Sequence, residues 1–349
     1  MRYLKIFIVG FLAILIIQFG LLVFLETVYF SDNTSYSSTK VENNATKEKA
    51  KSKLILEVGS TNISASYDGK YLAYLKDNNL FVINSEDNNK INVSANSGME
   101  ISYYKWIYDR SRLILAERPI DLKYGAFFKL YYYDVDSKSK VEIFNEINNR
   151  GIKIPINNNN EKINSIDMST LTNVIYVKIC NLNNYSRIYS INIMAQEKSI
   201  NTVTHKIGKI ISTKKDDILL YENLNDSKVY RNDSDSAISI NGKYNLSLIG
   251  IDNKDNVYLA LTDNNRAKLI YFGNITNEGW KKIEMNTEED INNIYVNFKG
   301  QIFVRDSSKS IITELLTGKG TYYNGNIIDM YDSGIISEKE NEIIKTTLQ

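Results

Sequence analysis

Apolar and polar positions divide the chain into three unlike stretches. Residues 6 to 25 are almost continuously apolar and are preceded by Arg2 and Lys5. Residues 31 to 53 are Ser, Thr, Asn, Lys and Glu with almost no large apolar side chain after Tyr36. From Leu54 onward the chain is a succession of short runs rich in Ile, Val, Tyr and Leu, separated by Asn, Asp, Gly and Ser. Such runs are strand and turn signals, and no long 3.6-residue period interrupts them.

The clearest set of runs is Ile63 to Tyr67, Lys70 to Leu75, Leu80 to Asn84 and Lys90 to Ser94, joined by Asp68-Gly69, by Asp77-Asn78-Asn79 and by a polar turn. Four strands joined by tight turns form one antiparallel meander. Its first turn recurs at Asp109-Arg110, Thr172-Asn173, Asp216-Asp217, Asp255-Asn256, Lys299-Gly300 and Ser333-Gly334, each ahead of an apolar strand such as Val257-Tyr-Leu-Ala-Leu261. The spacing is about forty residues, with one gap above sixty, and four-stranded sheets at that period predict a β-propeller. The last unit, Asn326 to Gln349, supplies only three strands, whereas Leu54 to Val58 precedes the first full unit. Lending that run to the last sheet closes a ring. The expected fold is therefore all-β, a seven-bladed propeller of four-stranded antiparallel blades preceded by one transmembrane helix, with six blades as the alternative if residues 209 to 240 merge with a neighbour.

Length sets the reading of the N-terminal run. A helix rises about 1.5 Å per residue, so roughly twenty residues span a hydrocarbon core of about 30 Å, whereas the apolar part of a cleaved signal peptide is usually about 7 to 15 residues. The basic flank places the N-terminus in the cytoplasm. The expected domains are a cytoplasmic stub (1–5), a signal-anchor helix (6–28), a flexible linker (29–53) with a reach of roughly 25 Å, and an extracytoplasmic propeller (54–349).

A third feature is a motif. Ser66-Tyr67-Asp68-Gly69-Lys70-Tyr71-Leu72-Ala73-Tyr74 followed by Leu80-Phe81-Val82-Ile83 resembles the Ser-Pro-Asp-Gly-Lys repeat of TolB-type, WD40-like propellers, found also in the propeller half of dipeptidyl-peptidase IV relatives. Trp106 to Leu113 and Leu130 to Ser137 echo it, while Tyr67 replaces the family's Pro. The resemblance covers about eighty residues and implies a propeller; it leaves the activity open, because one fold serves many functions.

Charge and rare residues narrow the chemistry. With 42 Lys and Arg against 41 Asp and Glu, the net charge is +1, which gives no field for nucleic acid, so no nucleic-acid partner is expected. One Cys and one His exclude a disulfide framework and a Cys/His zinc site within the chain. Cys180 falls in a strand-like run, as does His205 in Val203-Thr-His-Lys-Ile207, and no Gly-x-Ser-x-Gly elbow is present. Asp252-Asn-Lys-Asp-Asn256 places Lys254 where a calcium loop needs an oxygen, so Asx-type turns are expected there. Tyr131, Tyr132 and Tyr133 alternate faces of a strand and suit sheet packing. No cofactor or metal motif is found.

The function expected is that of a membrane-anchored binding or scaffolding module for a protein, peptide or envelope polymer. An extracytoplasmic glycan or peptide hydrolase or lyase using carboxylates at the propeller axis is the alternative, and a structural spacer is the third reading. The longest connections, Glu117 to Ala126, Asn145 to Glu161 and Asn181 to Tyr185, are expected to form one ligand-facing surface, with Arg118, Tyr124, Arg150 and Tyr185 as contacts.

Overall fold

The computed structural model describes residues 11, 14–15, 18–23 and 54–349, apart from 123, 124 and 278. Most of the predicted anchor and the whole linker lie outside the described residues. Residues 11, 14–15 and 18–23 are helical, and no helix among the described residues is long and apolar enough to cross a membrane.

From Leu54 the chain forms seven blades in succession, with one further two-stranded sheet following the outermost strand of blade 2. Blade 1 is built from Thr61–Ala65, Tyr71–Lys76, Asn79–Asn84 and Lys90–Val93, numbered from the innermost strand outward. Blade 2 has Met99–Trp106, Arg112–Pro119, Phe127–Asp134 and Ser139–Glu142, and blade 3 has Lys162–Ser169, Val174–Cys180, Ser186–Ile191 and Glu197–Ile200. Blade 4 has three strands, Ile207–Ser212, Leu219–Asn223 and Lys228–Arg231; its outer edge is met by Ile238, whose N–H donates to Val229 O at 2.8 Å. Blades 5 and 6 start with Leu246–Ile251 and Ile294–Val296 and end with Lys281–Asp290 and Gly320–Tyr322. Blade 7 consists of Asn326–Tyr331, Gly334–Lys339, Glu342–Thr347 and, from the other end of the domain, Leu54–Ile55. Leu54 pairs with Ile343 and Ile55 with Glu342, and Leu56 N–H donates to Asn341 O at 3.0 Å. The ring is thus closed by the segment the sequence nominated, with seven blades rather than six; the pairing ends at Leu56, and Val58 is exposed.

Seven apolar clusters account for the ring, one at each junction between neighbouring blades. The second strand of each blade is buried on both faces, which is why it reads as a continuous apolar run. In blade 1, Tyr71, Ala73 and Leu75 pack toward blade 2, while Leu72 and Tyr74 pack toward blade 7. In blade 2, Leu113 and Leu115 face blade 1, whereas Ile114 and Ala116 face blade 3. Period 2 therefore distributes side chains between two junctions rather than between core and water. The tyrosine run obeys the same rule: Tyr131 and Tyr133 lie in the blade 1–2 core, and Tyr132 packs against the blade 2–3 core.

Hydroxyl, carboxylate and amide side chains hold the inner turns. Ser66 Oγ accepts from Tyr71 N–H at 2.9 Å, Thr213 Oγ1 from Ile218 N–H at 3.1 Å, Asp252 Oδ1 from Asn256 N–H at 2.9 Å and Asn297 Oδ1 from Gln301 N–H at 2.9 Å. Each fixes the start of its second strand by satisfying a backbone donor locally. Asp252 is thus engaged in an Asx turn, as its sequence context suggested.

Two expectations are corrected. The stretch 145–161, read as a loop, contains the short pair Phe144–Asn145 and Arg150–Gly151 and then Ile154–Pro155, which adds a fifth strand to blade 2 beside Phe127 and Phe128. Ile152, Ile154 and Ile156 bury in the blade 2–3 core, and Pro155 is tolerated because it sits on an edge. Residues 203–206 are not a strand, and His205 is a surface side chain stacked on Tyr185.

Candidate functional site

The innermost strands of all seven blades surround a cavity of about 920 Å³ on the ring axis. Its charged lining comes from residues distant in sequence: Lys105 on blade 2, Asp167 on blade 3, Lys209, Lys214 and Glu222 on blade 4, and Asp329 and Asp332 on blade 7. Tyr103, Tyr108, Tyr295 and Phe298 add aromatic surface.

The two carboxylates have structural work. Asp167 is buried, and its Oδ2 accepts from Ser212 N–H at 2.5 Å and Ser212 Oγ at 3.1 Å across the blade 3–4 junction. Asp329 Oδ2 accepts from Ala65 N–H at 2.8 Å across the closing junction. Burial raises the proton affinity of both above the usual carboxylate range, opposed at Asp167 chiefly by the Lys105 charge and at Asp329 by the Ala65 N–H. Asp167 Oδ1 is buried and has no hydrogen-bond partner.

Two of the three lysines are likewise occupied. Lys209 Nζ donates to Ile249 O, and burial lowers its pKa. Lys214 Nζ donates to Asp252 O and lies 3.9 Å from the Phe298 ring centre; burial lowers its pKa to about 8 against the pull of Asp255 and Asp252. Lys105 differs. Its ammonium sits 5.0 Å from the Tyr108 ring centre, has no carboxylate within ion-pair distance among the described residues, and is held charged above the ordinary lysine range first by Tyr108.

The loop residues named from sequence stand elsewhere. Arg118, near the end of the second strand of blade 2, is half-buried and donates to Glu100 at 2.5 Å. Tyr185, in the matching connection of blade 3, stacks on His205 at 4.3 Å, at the same end of the ring as Arg118. Arg150 donates to Glu197 at 2.7 Å, at the start of the outermost strand of blade 3 and hence toward the opposite end. Tyr124 lies outside the described residues. Cys180 ends its strand with Sγ 3.0 Å from Ser186 Oγ. Among the described residues no group of three or more His, Cys, Asp or Glu is placed to hold a metal.

Sequence reading missed the axial residues although a signal was present. Asp167 and Asp329 both occur as Ile-Asp-Met inside a first strand, and Lys105 stands between Tyr104 and Trp106. A charged side chain within an apolar innermost strand is the pattern to look for.

No family model matches the chain, and no curated protein matches it. Solved structures share its fold. One, described as a mitotic checkpoint complex, aligns with a TM-score of 0.50 at 11% identity over 91% of this chain and 99% of that one. The Myceliophteria thermophila Cps50 (Swd1) β-propeller domain gives 0.50 at 10% identity over 84% and 98%. Dipeptidyl peptidase 4 of Porphyromonas gingivalis gives 0.41 at 14% identity, covering 83% of this chain and 45% of the peptidase. At these identities the likeness is one of fold, a β-propeller as the TolB-type motif implied.

Proposed function

We propose that this chain is a membrane-anchored, extracytoplasmic propeller that acts as a binding or scaffolding module for a protein, peptide or cell-envelope polymer. The observation that carries the binding reading is the engagement of the axial carboxylates: Asp167 and Asp329 each accept backbone N–H groups that join neighbouring blades. Acids so held serve the ring before any substrate, and what the ring then offers is a rigid frame carrying loops. The anchorage reading is supported by the apolar run 6–25 behind Arg2 and Lys5. The enzymatic alternative ranks second on the strength of the unpartnered Asp167 Oδ1 and the raised proton affinities of the two acids.

The test is crosslinking of the full chain in intact cells, with recovery of what co-purifies. The proposal expects a specific partner whose recovery falls when Arg118, Tyr124 and Tyr185 are changed to Ala together, with Arg150, toward the opposite end of the ring, changed separately. Unchanged recovery removes these residues from the binding surface, and absence of any specific partner overturns the module reading. A reporter fused after Gln349 that is active only in the cytoplasm would overturn the topology.

A further inference from the structure

Among the polar groups lining the axial cavity, Asp167 Oδ1 and Asp332 Oδ1 are buried without a hydrogen-bond partner, and Lys105 has no carboxylate at ion-pair distance among the described residues. Lys209 and Lys214 donate to backbone carbonyls, Asp329 accepts from the Ala65 and Met330 N–H groups with its two oxygens, and Asp167 accepts from the Ser212 N–H with Oδ2. Lys105 keeps its ammonium at the Tyr108 ring, away from any carboxylate at ion-pair distance among the described residues, and Asp167 Oδ1 is a buried acceptor without a donor. A buried polar atom left unpaired in a native structure calls for a partner, and the cost of leaving it so is about 1–3 kcal/mol. A cation and an orphan acceptor in one enclosure define complementary needs.

We propose that the axial cavity binds a small organic anion of sugar-acid type, its carboxylate received by Lys105 and a hydroxyl donated to Asp167 Oδ1. Size agrees with this class, because about 920 Å³ lies in the range of pockets that enclose a small-molecule ligand. The aromatic lining supplied by Tyr103, Tyr108 and Tyr295 suits a ligand that presents C–H faces between its polar groups. The lining carries Lys105, Lys209 and Lys214 against Asp167, Glu222, Asp329 and Asp332, so it is the Lys105 ammonium, with no carboxylate at ion-pair distance among the described residues, that favours an anion. This site is independent of the loop surface described above, and either can fail alone.

Calorimetric titration of the full chain in detergent with D-glucuronate and with D-glucose tests the assignment. The expected result is measurable binding of glucuronate, with glucose weaker by about 10- to 100-fold, the span of one charge-assisted hydrogen bond. Lys105→Met, which keeps the aliphatic stem, is expected to erase the preference, and Asp167→Asn, which retains an acceptor for the Ser212 N–H, to weaken both sugars. Each variant's circular dichroism and melting temperature are compared with the parent, and Lys105→Arg, which keeps the charge, is expected to restore the preference if Lys105→Met folds poorly. Equal affinity for the two sugars, no binding of either, or an unchanged preference in folded Lys105→Met overturns the proposal and leaves the cavity as hydrated channel.

Discussion

Gly69 stands at the junction where the ring closes, and replacing it with Ala tests two separable costs. Its φ of +68° lies in the left-handed region, where an L side chain costs about 1–2 kcal/mol. An added Cβ would also meet the Tyr331 ring, at 2.6 Å from Cε2 and 2.8 Å from Cδ2 and Cζ. Carbon atoms rest at about 3.5–4.0 Å, so the ring would have to retreat by roughly 1 Å. Tyr331 is 6% exposed and packed with Leu54, Leu56, Ala65, Leu72 and Tyr74, so the retreat is resisted and overpacking adds about 1–3 kcal/mol. Gly98 supplies the control, with φ +74° and no atom within 4 Å of its Cβ position. Urea denaturation of the full chain in detergent should therefore show Gly98→Ala losing about 1–2 kcal/mol and Gly69→Ala losing about 2–5. A double-mutant cycle with Tyr331→Leu should recover the excess as coupling energy. Equal losses at the two glycines, or zero coupling, would refute the argument that blades 7 and 1 meet at this ring.

Further outcomes follow from the axial residues. Asp329→Ala strands the Ala65 N–H at the closing junction and should cost about 1–3 kcal/mol, whereas Asp329→Asn keeps an acceptor and should cost less; denaturation of both variants checks the order. Lys214 titrates near 8 in the folded protein, below its ordinary 10.5, so its neutral form favours folding above 10.5 and that contribution is lost as pH falls through about 8. Between pH 8 and 10 the stability difference between the parent and Lys214→Met should therefore shift in the parent's favour as pH rises; a difference independent of pH would contradict the burial of that ammonium.

Much of the ring was legible because each unit repeats one local instruction. The turns at Asp68-Gly69, Asp255-Asn256 and Ser333-Gly334 sit between first and second strands as read, and Leu54 closes the last sheet. Local signals failed where a segment's partner is remote. Ile152, Ile154 and Ile156 carry period 2, yet the prolines and asparagines around them read as loop until Phe128 supplies an edge to pair with. Val203 to Ile207 alternates without becoming strand before Ile207, because Thr204 turns its side chain to the Lys206 N–H at 3.0 Å and so caps the chain locally. The axial cavity was illegible as a constellation, since Lys105, Asp167, Lys209 and Asp329 come from four blades and only closure unites them. Loop length alone points to Arg118 and Arg150, whereas their ion pairs with Glu100 and Glu197 depend on side chains from other strands.

Closure of the ring by the first strand of the domain is the claim on which the rest depends, and a disulfide reads it directly. Directly paired residues on antiparallel strands have Cα atoms about 4.5–5.5 Å apart, within the range a disulfide spans. With Cys180 changed to Ser, the pair Ile55→Cys and Glu342→Cys should form an intramolecular disulfide on mild oxidation, seen as a shift in mobility on a non-reducing gel. Val58→Cys with Glu342→Cys should not, because Val58 lies beyond the paired segment. A folded Ile55/Glu342 variant that stays reduced, or that crosslinks only between molecules, would contradict the closed seven-bladed ring.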